Sequence, residues 1–259
     1  MLERIKKLKL TTEARTLQHI KDKVCKYIKS ETKCTVIDGP FRGLKLSEDR
    51  NWGNSNDLTT QILGTYEREI VDLIALLSSP NGVFIDIGGA NGFYAVGVAK
   101  CLSFSSVYVY ELSAEGRREI SINAVLNDVD PFIKIGGKFD NNTVSQDWVE
   151  AKNSTGVILI DIEGGEFELM NPEFFSVFSR FNIIVELHDF LDPNTHMVDV
   201  LIQNSNATHE VKFLRNNGRN PASINLLNHL PEDYQWIACS ESRLRAMSWA
   251  HFIPKVTQA

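Results

Sequence analysis

The chain has 259 residues, 43% of them apolar, and a net charge of −6 at neutral pH. That is enough apolar chain to bury the core of one large α/β domain, and the composition excludes the disordered, collagen-like and disulfide-scaffold classes. Its four cysteines, Cys25, Cys34, Cys101 and Cys239, stand far apart with no CxxC pair, so neither a disulfide framework nor a structural zinc site is expected, and reduced thiols in a cytoplasmic protein are.

Charge is unevenly placed. The first 33 residues carry ten Lys or Arg against four acids, and the rest is strongly acidic. An acidic body without a basic stripe argues against a nucleic-acid partner. The basic arm reads as a solvated helix face. "MLERIKKLKL" lacks the apolar core of a signal peptide, and no run approaches the roughly 20 apolar residues that span a bilayer. A soluble protein with no transmembrane segment is expected.

In chain order, Leu17, Ile20, Val24, Tyr27 and Ile28 recur at spacings of three and four, which predicts an amphipathic helix over 12–30. "TKCTVIDGPFRGLKLS" is punctuated by Gly39-Pro40 and Gly43 and reads as a small β-hairpin. "DLTTQILGTYEREIVDLIALLS" has helical spacing through Ile62, Tyr66, Ile70, Leu73 and Leu77. Residues 1–80 are therefore expected to form a helical and hairpin appendage, placed as a cap on a domain of residues 81–259.

From Val83 the pattern changes to short apolar runs alternating with helical stretches: "VFIDI", "VYVYEL", "FIKI", "GVILIDI" and "FNIIVEL". Strands this apolar are buried on both faces, and the alternation predicts an α/β fold with a mostly parallel, Rossmann-like sheet. Beyond it, "HEVKFLRNN" and "YQWIACSES" read as an antiparallel strand pair flanking a helical "SINLLNHL".

The first strand runs into "DIGGANG", residues 86–92. Ligands of open parallel sheets sit beyond the carboxyl ends of the strands, where the first βα turn brings backbone close to them. Gly88 and Gly89 permit positive φ, and Gly92 lets a helix start close to the strand, so a ligand pressed against backbone is expected. The dinucleotide spacing GxGxxG fails, because Ala90 and Phe93 occupy the second and third glycine positions. Asp86 would repel a pyrophosphate and suits a cationic group. Glu111 ends the next strand, where a carboxylate commonly takes ribose hydroxyls. A ligand with a ribose, a cationic amino-acid end and no pyrophosphate is S-adenosylmethionine. A glycine-rich turn alone is weak evidence; the combination with two carboxylates at successive strand ends is stronger. Asp86, Gly88, Gly89, Asn91, Gly92 and Glu111 are the candidate cofactor-binding residues.

The segments "FIDIGGANGFYAVGVA", "VYVYELSAEGRREISINAVLN" and "LIDIEGGEFELM", with "GPFRGLKL" and "ILGTYEREI" upstream, resemble the FkbM-type S-adenosylmethionine-dependent methyltransferases over Gly39 to Asp189. Ala90 departs from the middle glycine common among methyltransferases. The resemblance implies methyl transfer to an oxygen of a small-molecule acceptor such as a sugar or polyketide hydroxyl. A nicotinamide-dependent oxidoreductase and a non-catalytic cofactor-binding scaffold are the alternatives.

Removing the acceptor's proton needs a base or a metal. "DIEGGE" and "VELHDF" both end predicted strands, and residues two apart share a face, so Asp161 pairs with Glu163 and Glu186 with His188. His188, Asp161 and Glu186 are the candidate catalytic residues. His188 is favoured as the base, with a pKa near ~6.5 if unperturbed, and Asp161 with Glu186 as a Mg²⁺ site. In the blander reading Glu163 and Glu166 stabilise a helix N-terminus, Asp189 forms a turn, and Trp148 with Phe174, Phe175, Phe178 and Phe181 is core.

Overall fold

In the computed structural model, which describes residues 12–48, 55–140, 154–191, 196–241, 243 and 247–255, the apolar runs assemble into one seven-stranded sheet. β1 (Val83–Ile87), β2 (Ser106–Tyr110), β3 (Ile133–Gly136), β4 (Gly156–Ile160) and β5 (Phe181–Leu187) are parallel. β7 (Ser248–Pro254) runs antiparallel to both β5 and β6 (His209–Arg215). The order β3-β2-β1-β4-β5-β7-β6 makes the expected Rossmann-like α/β sheet and reverses direction between β1 and β4, where such sheets open a crevice at their carboxyl edge. Ile87 is level with Tyr110 and Ile160, and Ile160 with Val185. Gly88, Glu111 and Asp161 therefore leave the sheet at one edge, beside Glu186 near the end of β5.

The two-residue strand period divides the core between the faces. Phe84, Leu159, Ile184 and Trp249 face one way, into a cluster that also holds Val24, Ile28, Ile62 and Ile70. Ile85, Ile158, Ile183 and Phe252 face the other, against Phe174, Phe175 and Phe178. The expected phenylalanine cluster is thus core, while Trp148 and the basic residues 1–11 lie outside the described residues.

The N-terminal segment is built into the first of these faces. α1 (Thr12–Thr32) buries Val24, Cys25 and Ile28. Phe41 is buried against α4 (Phe93–Cys101), where a Cβ on Gly97 would come within 2.6 Å of its ring. The hairpin expected over 32–47 is present in short form: Thr35 and Lys45 make an antiparallel bridge, Val36 N donates to Leu44 O at 2.8 Å, and Leu46 N donates to Cys34 O at 2.9 Å. Side chains of α5 (Ala114–Leu126) and the residue capping it brace the outer edge of this hairpin: Asn127 accepts from Lys45 N at 2.9 Å and donates to Lys45 O at 2.7 Å, and Asn123 accepts from Ser47 N at 2.8 Å.

The single helix expected over 57–78 is two, α2 (Ser55–Leu63) and α3 (Arg68–Leu76). Gly64, at φ +72°, passes so close to the loop below that a Cβ would lie 2.1 Å from Asp38 O. This crossing overrides the apolar period. A second correction concerns "YQWIACSES", which forms no strand among the described residues: Glu232–Ala238 is a helix. Pro231 before it and Glu232 and Asp233 in its first turn are helix-start signals, and the true partner of β6 is β7.

Two predictions follow from this packing. Phe41→Ala, which empties a site shared by the N-terminal segment and the sheet, is expected to cost about 3–5 kcal/mol; chemical denaturation read by fluorescence and circular dichroism should show one transition moved to lower denaturant. The second concerns His251, buried in β7 beside Asn182 Oδ1 at 2.9 Å. Burial, helped by Lys212 and His209, pushes its pKa down to about 4. The unfolded chain binds this proton near pH 6.5 and the folded chain does not, so this contribution is complete above pH 6.5 and is lost between pH 6.5 and 4. His251→Asn should therefore flatten the acid limb of the stability profile by about 3 kcal/mol; an unaltered slope in pH-dependent urea melts counts against it.

Candidate functional site

The turn after β1 is saturated by its own chain. Gly88 N and Gly89 N both donate to Tyr110 O, at 2.8 and 3.1 Å, Gly92 N donates to Gly89 O at 2.7 Å, and Ala90 N donates to Glu111 Oε2 at 2.9 Å. The reason for the glycines differs from the expected ligand contact. A Cβ on Gly88, at φ +97°, would lie 1.8 Å from Asp161 O, and one on Gly89 would lie 2.2 Å from Val109 Cγ2. These glycines let the turn lie against β2 and the end of β4. Ala90 takes the left-handed conformation itself, at φ 45°, so the departure from glycine leaves a left-handed turn in place.

Asn91 is structural in this arrangement: it donates to Gln61 Oε1 at 3.1 Å and accepts from Phe93 N at 3.2 Å, and its carbonyl takes the Asn123 amide at 2.8 Å. Glu111 is buried and takes one backbone N–H on each oxygen, from Ala90 and from Ser113 at 2.7 Å. Each of its oxygens keeps a second lone pair. Asp86 is buried, and its Oδ2 has no hydrogen-bond partner among the described residues. Burial, with the charges of Asp161 and Glu111 adding, pushes its pKa up to about 8.

Two hollows open here. One, of about 460 Å³, is lined by Tyr110, Glu111, Leu112, Phe139, Asp140 and Ile162 among others. The other, of about 210 Å³, lies between Asp86 and the N-terminal residues Asp57, Gln61 and Tyr66, and shares Gly88, Ala90, Asp161 and Glu163 with the first. Sequence reasoning missed Phe139 and Asp140, which follow β3 at the same edge. The signal was present, since any loop leaving the carboxyl end of a parallel strand lines the crevice.

Asp161, Glu186 and His188 do come together at the ends of β4 and β5, each offering an atom within 4.8 Å of the others. His188 Nε2 lies 3.8 Å from Asp161 Oδ1, 3.4 Å from Glu163 Oε2 and 3.5 Å from Glu186 Oε2. Its Nδ1 faces Glu166 Oε1 at 3.1 Å. Glu166, read from sequence as a helix-start residue, begins α6 (Glu166–Leu169) but is fully buried, and accepts from Gly164 N at 2.8 Å and His188 N at 3.0 Å. Burial works to raise the Glu166 pKa, yet the hydrogen bonds from His188 and the backbone outweigh it and hold it low. Burial likewise opposes the imidazolium of His188, but Glu166, Asp161 and Glu163 together raise its pKa above the ordinary value. His188 therefore holds its proton more tightly than an unperturbed imidazole.

Burial pushes both the Asp161 and Glu186 carboxyls up: Asp161 reaches about 6 against a hydrogen bond with Glu186 and the charge of His188, and at Glu186 the charge of Asp161 and that same hydrogen bond add to the rise. Arg243, unremarked in the sequence, works against this at Glu186: its Nη1 meets Glu186 Oε1 at 2.5 Å, its Nε meets Glu241 Oε2 at 2.8 Å, and its Nη2 pairs with Glu67. Only the fold brings residue 243 beside residue 186.

No family model and no curated protein matches the chain. Solved structures with a similar chain course include a human methyltransferase 10 domain containing protein (13% identity, 92% of this chain and 97% of that one, TM-score 0.49). A geranyl diphosphate C-methyltransferase from Streptomyces coelicolor A3(2) (10%, 91% and 97%, 0.46) and a ribosomal protein L11 methylase from Lactobacillus delbrueckii subsp. bulgaricus (19%, 80% and 83%, 0.45) are others. Likenesses at these identities and scores say nothing of what this chain binds or acts on.

Proposed function

We propose that the protein is an S-adenosylmethionine-dependent methyltransferase of the FkbM type that methylates a hydroxyl of a small molecule. One observation carries the reading: a buried, unpartnered Asp86 oxygen at a glycine turn whose amides at Gly88, Gly89, Ala90 and Gly92 are already spent. A pyrophosphate needs unspent amides and no facing carboxylate, which disfavours the nicotinamide alternative. An α-ammonium group suits Asp86, and the remaining lone pairs of Glu111 suit a ribose diol. Tyr110, Leu112, Phe139 and Ile162 offer apolar surface for a base in the larger hollow.

When bound, S-adenosylmethionine supplies a methyl on a cationic sulfur that leaves as a neutral thioether. The chain's part is to align the acceptor and receive its proton. Asp161 and Glu163 line both hollows, so they reach an acceptor oxygen, while Glu186 and His188 lie buried behind them. Asp57, Asp86, Asp161 and Glu163 make the smaller hollow acidic, which suits a neutral hydroxylic acceptor and repels phosphate, including a nucleic-acid backbone. Asp57, Gln61 and Tyr66 bring the segment before residue 80 to this rim as a cap that limits what is admitted.

Calorimetry with S-adenosylhomocysteine and with NAD tests the reading. Homocysteine-nucleoside binding without NAD binding is expected. The ammonium stabilises ionised Asp86, whose pKa starts at about 8, so binding at pH 7 should release a proton and tighten as pH rises toward 8. Asp86→Asn should abolish the release and weaken binding at least tenfold. Glu111→Ala should also weaken binding tenfold or more, with a loss of stability, because two backbone N–H groups lose their acceptor. Binding of NAD alone sinks the proposal; binding without turnover across hydroxylic acceptors would favour the scaffold alternative.

A further inference from the structure

The ends of β4 and β5 carry a donor set that hydrogen bonds within the protein do not complete. His188 is 2% exposed, and its Nδ1 is committed to Glu166, itself locked by two backbone N–H groups. This places the Nδ1 proton and aims Nε2 at three carboxylate oxygens from Asp161, Glu163 and Glu186. Asp161 Oδ1 is buried with no hydrogen-bond partner among the described residues. A lone pair enclosed by carboxylate oxygens is repulsive unless a positive charge sits among them. A proton on Nε2 would draw one oxygen to about 2.8 Å. Instead three stand at 3.4 to 3.8 Å, close to the edge of about 3.4 Å in a tetrahedron with ~2.1 Å bonds.

We propose that Asp161, Glu186 and His188, with Glu163 closing the set from the solvent side, bind one divalent first-row transition ion of the Mn²⁺ or Zn²⁺ kind. Glu166 is the positioning residue, holding the imidazole in the tautomer that coordinates, as carboxylate–histidine pairs do at metal sites. Mg²⁺, expected from Asp161 and Glu186 alone, is not the ion that an imidazole donor selects, because it prefers an all-oxygen shell and retains its waters. Ca²⁺ favours bidentate carboxylates, and Arg243 occupies the second oxygen of Glu186. The inference stands on these residues alone and does not rest on the methyl-transfer reading.

The test uses the full chain stripped of metal with a chelator. Mn²⁺ titrated by electron paramagnetic resonance and Zn²⁺ by calorimetry should each bind one ion per chain, with Mg²⁺ competing at least 100-fold more weakly. Spin-echo modulation of the Mn²⁺-loaded wild type should show nitrogen coupling from one imidazole, a readout that needs no variant. Asp161→Asn should weaken binding at least 100-fold, and Glu166→Gln, checked for folding by its metal-free melting curve, 10- to 100-fold. The proposal is overturned by the absence of stoichiometric binding, by Mn²⁺ without imidazole coupling, by Mg²⁺ binding as tightly as Mn²⁺, or by folded variants that bind like the wild type.

Discussion

Five carboxylates, Asp86, Asp161, Glu163, Glu166 and Glu186, meet where β1, β4 and β5 end, and much of the surrounding structure exists to tolerate them. Uncompensated buried charge costs several kcal/mol per ion. Each acid is met differently, Asp161 by a hydrogen bond with Glu186. Glu166 is satisfied by two backbone N–H groups and His188. Glu186 is met by Arg243, Asp86 by a pKa high enough to keep it neutral, and Glu163 by solvent, its side chain being 85% exposed. Arg243 in turn draws in Glu67 and Glu241, and Arg219 pairs with Glu241 and Glu69. The charge at the sheet edge thereby ties the start of α3, the end of β5 and the segment after β6 to one another.

The same edge owes its shape to a turn that is rigid rather than receptive. Its amides are consumed by β2 and Glu111, and its glycines are demanded by Val109 and Asp161 O. What faces the two hollows there is side chain: Glu111 with Tyr110, Leu112, Phe139 and Ile162 in the larger, Asp86 in the smaller. Asn123 links this turn to the N-terminal strap, holding Asn91 O on one side and Ser47 N on the other. The N-terminal segment, the turn and α5 are therefore braced together, which fixes the shape of the crevice.

Glu111 shows how one side chain serves two ends. Its carboxylate is legible in the sequence as the end of a strand, and in the fold it lines the larger hollow. Its two backbone N–H partners were not legible, since Ala90 lies 21 positions away and reaches it only through the β1–β2 register. Glu166 is the sharper case. Sequence placed it at a helix start, which is so, but its burial beneath His188 depends on β5 pairing with β4.

What the sequence determined by itself were the features set by short-range chemistry. These are the apolar runs that must be buried on both faces, the helix of 12–30, the left-handed turn after Asp86, and the carboxylates at strand ends. Periodicity and turn chemistry act over a few residues, so they are visible in any window of that size. It failed where a distant segment overrode the local pattern: Asp38 crossing under Gly64, and β7 rather than 234–242 pairing with β6. Only the tertiary structure decided which acids face His188, which are neutralised by Arg243, and which carry raised pKa values. Those properties depend on distances of a few ångströms and on burial between segments far apart in the chain, and neither has any local signature.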